Sequence, residues 1–143
     1  MNKLQKYIDR LTKEWLEHKN IIIGVDFDDT IIPWGLNKQD DCNYVIEKLK
    51  TYQAFGAYIV IFTCSDPDRH SDISKYCDDN NLIISSINKN PIDLPYGNYG
   101  KIYANIFIDD RAGLHESLNI LDCAMANIKG KQESAHSEFE QFK

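Results

Sequence analysis

I-I-I-G-V-D-F-D-D-T, residues 21–30, sets three carboxylates, Asp26, Asp28 and Asp29, within four positions directly after an apolar, β-branched run. The run reads as a strand buried on both faces, the pattern of a central strand in a parallel sheet. Carboxylates repel one another and resist burial, so the cluster either spreads into solvent at a strand end or is held together by a cation. The rest of the chain decides between the two.

Outward from that strand, the pattern alternates. Leu4, Tyr7, Ile8, Leu11, Trp15 and Leu16 recur at helical spacing and predict an amphipathic helix over 3–18. Val45, Ile46, Leu49 and Tyr52 mark a helix ending near Gly56, and residues 58–62 form a second apolar strand. A third helix is predicted over 68–80, a third strand beginning at Leu82-Ile83-Ile84, a Pro/Gly/Asn loop over 88–100 and a fourth strand over 102–108. A last helix, about 112–126, buries Leu114, Leu118, Leu121 and Met125. Strands separated by helices imply an α/β domain with a doubly wound, mostly parallel, Rossmann-like sheet and helices on both faces. Residues 1–128 are expected to form one domain, with the helix at 1–19 packed on it, and 129–143 a tail or short helix.

The chain has 143 residues, enough for one core without disulfide staples. Cys42, Cys64, Cys77 and Cys123 are scattered with no CxxC pair, which argues against a zinc knuckle and for reduced thiols. No apolar stretch is long enough to span a bilayer, and charges run through the first fifteen residues where a signal peptide needs an apolar segment. A cytoplasmic protein with no membrane partner is the expectation. Residues 20–128 hold 16 Asp and Glu against 8 Lys and Arg, a balance of −8 that repels nucleic-acid backbones and excludes a broad face for duplex DNA.

In a doubly wound sheet, ligands bind at the carboxyl ends of the strands. Polar groups gather there: Asp26 and Asp28 after the first strand, Thr63, Cys64 and Ser65 after the second, Asn88 and Lys89 after the third, Asp109 and Asp110 after the fourth. An EF-hand loop also opens with alternating acids, but here its sixth position is Ile31 and its twelfth Asn37, so that reading fails. Magnesium favours a few carboxylates with water and phosphate oxygen, and Asp26, Asp28 and Asp109 or Asp110 would supply them. Phosphoryl transfer needs positioning and cationic stabilisation, for which Thr63 offers a hydroxyl and Lys101 an ammonium.

V-D-F-D-D-T (25–30), I-F-T-C-S (61–65), Lys101 and I-D-D-R (108–111) together resemble the four ordered motifs of the haloacid dehalogenase superfamily of magnesium-dependent phosphatases. The resemblance spans residues 21 to about 120. It implies that Asp26 attacks phosphorus to form an aspartyl-phosphate and that Asp28 protonates the leaving oxygen, then takes a proton from water. It also implies that Thr63 and Lys101 bind the phosphoryl group, with Cys64, Ser65 and Asn88 lining the substrate site. Mg²⁺ would be held by Asp26, the Asp28 backbone carbonyl, Asp109 and Asp110. Asp29 and Thr30 read as turn and backbone anchors, Lys89 competes with Lys101 for the cationic role, and Arg111 is a surface partner for the acids.

Caps in this superfamily are inserted after the first motif or between the second and third. Residues 31–40 are too few for one and the second gap holds one helix, one strand and a loop, so a small capless member is implied. An open site suits a phosphorylated small molecule or a nucleic-acid end, and Trp34, Tyr96 and Tyr99 offer faces for a base, which makes a nucleotide one candidate. A homo-oligomer whose neighbour covers the site is also compatible. The competing reading is a phosphorylatable receiver-like module or a catalytically idle member. A receiver carries its phosphoacceptor on a later strand, whereas D-x-D here follows the first strand of the sheet.

Overall fold

The computed structural model describes residues 3–91 and 100–141. In chain order the elements are α1 (Gln5–His18), β1 (Ile21–Asp26), α2 (Gln39–Gln53), β2 (Ala57–Phe62), a 3-10 turn (Pro67–Arg69), α3 (His70–Asp79), β3 (Ser86–Ile87), β4 (Ile106–Ile108) and α4 (Leu114–Gln141). The four strands form one parallel sheet in the order β3-β2-β1-β4. The chain winds outward from β1 through β2 to β3, then returns to the other side of β1. The order therefore reverses between β1 and β4, and that crevice is the topological switch point.

Register follows from the alternation of side chains. Ile21, Ile23 and Val25 lie beside Ala57, Ile59 and Ile61, and the helices cover this set with Leu11, Trp15, Val45, Leu49, Tyr52, Ile73, Leu118 and Leu121. The indole N–H of Trp15 donates to the Phe55 carbonyl at 2.7 Å, so α1 is tied to the end of α2 as well as packed. Tyr52 donates to Asp122 at 2.8 Å while Lys48 pairs with the other Asp122 oxygen at 2.9 Å, which fastens α2 to α4. Burial, aided by Asp122, pushes the Tyr52 hydroxyl well above its ordinary range, so it stays a donor.

The alternate side chains of the sheet meet the chain that precedes β4. Gly24 pairs with Phe107, and the ring of Phe107 lies edge-on to Phe62 with centroids 5.6 Å apart. A Cβ at Gly24 would stand 2.8 Å from two ring carbons of Phe107, so the aromatic pair occupies the space a side chain would need. Gly24→Ala is expected to lower stability by about 1–3 kcal/mol through overpacking, read as a lower urea midpoint with an unchanged slope.

The predicted α/β class and the parallel sheet are observed, and no cap domain interrupts the described residues. Three boundaries differ. Leu82-Ile83-Ile84 is a connection, not a strand: Asn81 turns at φ 59°, Leu82 plugs the core, Ile83 is exposed, and the ladder starts where the Ser85 N–H meets the Ile59 carbonyl. Strand β4 begins at Ile106, because Asn105 engages Ile22 partly through its side-chain amide. The last helix continues to Gln141 where a tail or short helix was predicted, since Lys, Gln, Glu and Ala outweigh the single Gly130. The segment 92–99, with Tyr96 and Tyr99, lies outside the described residues.

Candidate functional site

Because Val25 pairs with Ile108, the next residue on each strand, Asp26 and Asp109, emerges at the same end of the switch-point crevice. Asp26, Asp109 and Asp110 each place a carboxylate oxygen within 4.8 Å of the others. An octahedral Mg²⁺ at 2.0–2.1 Å requires ligand oxygens roughly 3–4 Å apart, so the trio fits the ion after a small closure. Asp28 is not in the trio. Both of its carboxylate oxygens are instead bonded by Arg69.

Thr30 joins the acids. It is buried, 1% exposed, and its hydroxyl lies 3.2 Å from both Asp26 Oδ2 and Asp110 Oδ1 while accepting the Asp110 N–H at 3.1 Å. A hydroxyl carries one proton, so it cannot fully satisfy two ionised carboxylates at once. Burial first, then the hydrogen bond to Asp110 and the charge of Asp109, raises Asp26 from 3.8 to about 7, against a lowering from the Thr30 bond. Two remedies exist for that repulsion: a proton on Asp26 or a cation among the three. Thr30→Val is expected to cost about 1–3 kcal/mol by stranding the Asp110 N–H and both carboxylates, with Thr30→Ser restoring most of it in denaturant titrations.

Asp29 takes a left-handed backbone, φ 59°, and its carboxylate accepts the N–H groups of Trp34, Leu36 and Asn37 at 2.8, 3.2 and 3.2 Å. Desolvation tends to raise its pKa, but the bonds from Trp34, Leu36, Asn37 and Gly35 outweigh it and hold the group below the usual carboxylate value. The anchoring role read for Asp29 and Thr30 is thus observed, and in Thr30 it extends to the acids themselves. The loop so fixed presents Trp34, 66% exposed, at the mouth of the site.

The loop after β2 is fixed by Asn88. Its side-chain oxygen accepts the Thr63 N–H at 2.8 Å and its amide donates to the Thr63 carbonyl at 2.9 Å, so a side chain continues the ladder that β3 ends. Thr63 Oγ1 bonds Ser65 Oγ at 2.9 Å and accepts the Ser65 N–H at 3.1 Å. Asn88 therefore positions Thr63 through its backbone. Cys64 is exposed between them, while Cys42, buried beneath the acids, has its thiol pushed up to about 11 by burial and then by Asp29, Asp41 and Asp110, which keeps it protonated.

Lys101 is exposed, with its ammonium 5.8 Å from the centre of the Phe107 ring. Arg111 uses its backbone N–H to bond Asp109 at 2.9 Å, which caps the turn that aims this acid. Sequence reasoning missed Arg69. Its Nη1 donates to Asp28 Oδ2 at 3.0 Å and to Ser65 Oγ at 2.7 Å, and its Nη2 donates to Asp28 Oδ1 at 2.8 Å. The signal was slight, a lone basic residue at the entry to α3, opposite the β1 loop.

No family model and no curated protein matches the chain. Among solved structures it is similar to a conserved protein from Bacteroides thetaiotaomicron, with 26% identity, a TM-score of 0.53, and coverage of 64% of this chain and 77% of that one. The described helices include none long and apolar enough to cross a membrane.

Proposed function

We propose that the chain is a magnesium-dependent phosphatase of the haloacid dehalogenase type, hydrolysing phosphomonoesters through an aspartyl-phosphate on Asp26. The observation that carries this reading is the meeting of Asp26, Asp109 and Asp110 at the switch point of a parallel sheet, with Thr30 tying two of them together. The donor set is all oxygen and anionic, which suits a hard cation.

In this reading Asp109, Asp110 and an oxygen of Asp26 would hold Mg²⁺, with the Asp28 carbonyl as a further donor. The ion would neutralise phosphoryl charge and keep Asp26 ionised. The free oxygen of Asp26 attacks phosphorus in line, the P–O bond to the leaving group breaks, and Asp28 delivers a proton to the departing oxygen. Water then attacks the phosphorus of the acyl phosphate, Asp28 takes a proton from it, and the P–O bond to Asp26 breaks to release inorganic phosphate and restore the carboxylate. Thr63 Oγ1, with Cys64 and Ser65 beside it, binds the phosphoryl oxygens, Asn88 holds that loop, and Lys101 adds positive charge.

Support also comes from the short connection between β1 and α2, residues 27–38, which holds no cap domain. The reading is tested by incubating the protein with Mg²⁺ and a panel of nucleotides, sugar phosphates and 5′- or 3′-phosphorylated oligonucleotides. Release of inorganic phosphate that stops with chelator supports it. Inertness across the panel, with the protein phosphorylated by acetyl phosphate, would favour the receiver-like module.

A further inference from the structure

The site gathers three carboxylates, Asp26, Asp109 and Asp110, with Asp28 and Asp29 on the loop after β1, yet must admit a phosphate dianion. Positive side-chain charge is therefore the scarce ingredient. Lys101 extends over Phe107, whereas Arg69 is hydrogen-bonded to the loops that follow β1 and β2. Its two bonds to Asp28 occupy both oxygens of the residue assigned as acid and base. A carboxylate that meets a guanidinium with both oxygens is fixed in the plane of that pair and cannot turn toward a leaving group while both bonds hold. The arrangement is a resting one. Turnover by Asp28 requires the pair to open.

We propose that Arg69 is a substrate-binding residue that exchanges Asp28 for the phosphoryl group, and so frees Asp28 to work only when substrate is present. Three features of the structure favour the exchange. First, Nη1 already bonds Ser65 Oγ, which bonds Thr63 Oγ1, so Arg69 stands two hydrogen bonds from the hydroxyl assigned to the phosphoryl group. Second, the guanidinium uses three of its five N–H groups, and the planar fork matches two phosphoryl oxygens as well as it matches a carboxylate. Third, there is space beside the group. It lies 5.3 Å from the Phe27 ring and 5.1 Å from the Trp34 ring, on a hollow of about 330 Å³ also lined by Ile32, Ile73 and Tyr76 and by the charged Asp72, Lys75 and Asp79. The two ring faces keep the cation in place on either side of the exchange.

The inference rests on the phosphatase reading, and the test separates the two. Wild type, Arg69→Ala, Arg69→Lys, Asp28→Asn and the Arg69→Ala/Asp28→Asn double variant are compared, each with its thermal unfolding recorded. Affinity for inorganic phosphate is measured by calorimetry on the Mg²⁺-loaded proteins, and kcat and KM with para-nitrophenyl phosphate. Arg69→Ala is expected to weaken phosphate binding and raise KM at least about tenfold, the loss of a charge-assisted pair, with Arg69→Lys between it and wild type. Asp28→Asn is expected to tighten phosphate binding, more when Arg69 is present than when it is Ala, because only then is a competitor removed.

Phosphate affinity unchanged within twofold in folded Arg69→Ala and Arg69→Lys, or an equal gain from Asp28→Asn in both backgrounds, overturns the proposal. Arg69-dependent phosphate binding without hydrolysis by the wild type would sink the phosphatase reading alone.

Discussion

Asp26→Asn is expected to abolish phosphomonoester hydrolysis, by at least about 10³-fold in kcat, while making the metal-free protein more stable at pH 8. The two effects have one origin. Asp26 in the folded chain binds its proton up to about pH 7, against an ordinary value of 3.8. Its contribution to stability is fully present below pH 4 and is lost as pH rises through 7, since the folded state must then hold an ionised carboxylate against Asp109 and Asp110. Asparagine does not titrate. The full shift corresponds to about 4 kcal/mol, which partial solvent access reduces to about 1–3 kcal/mol at pH 8. Melting curves in chelator from pH 4 to 8 should show the variant gaining on the wild type as pH rises. A variant that loses stability and activity together would argue that Asp26 is a structural residue.

Magnesium should reverse the penalty. A cation that binds the folded chain alone stabilises it by about 2.7 kcal/mol at a hundred times its dissociation constant, a rise of roughly 8 °C for a chain of this size. Asp109→Asn and Asp110→Asn are each expected to remove most of that rise, and potassium at equal ionic strength should not reproduce it. Loss of either acid also relieves Asp26, so both variants should melt higher than wild type in chelator. Scanning calorimetry with and without roughly 10 mM Mg²⁺ gives the comparison. An unchanged melting temperature in the wild type would count against a metal site at the crevice.

How much of this was legible beforehand depends on the range over which each signal acts. The strand at Ile21–Asp26 and the convergence of Asp26 with Asp109 and Asp110 were readable, because buried parallel strands are apolar runs and their carboxyl ends share one side of a sheet. Leu82-Ile83-Ile84 misled because an apolar run records burial, not pairing: Leu82 is buried as a plug, and Ile83 is 75% exposed. Past residue 128 the sequence left a tail or a short helix open, because the register loses its apolar stripe although the composition still favours a helix. Arg69 was beyond reach for a different reason: its role is made by a partner 41 residues away, and nothing local distinguishes such an arginine from a solvated one. Asn88 was readable as a strand-end residue of the site, but not its hold on the Thr63 backbone 25 residues away.

The order β3-β2-β1-β4 leaves a two-residue strand on one flank and a three-residue strand on the other among the described residues. A foreign strand seeking backbone partners would find room for one or two rungs there, too little to offset the entropy of holding it. Brevity thus guards this molecule against fibrous self-association, a task that longer borders leave to lysines, prolines or bulges.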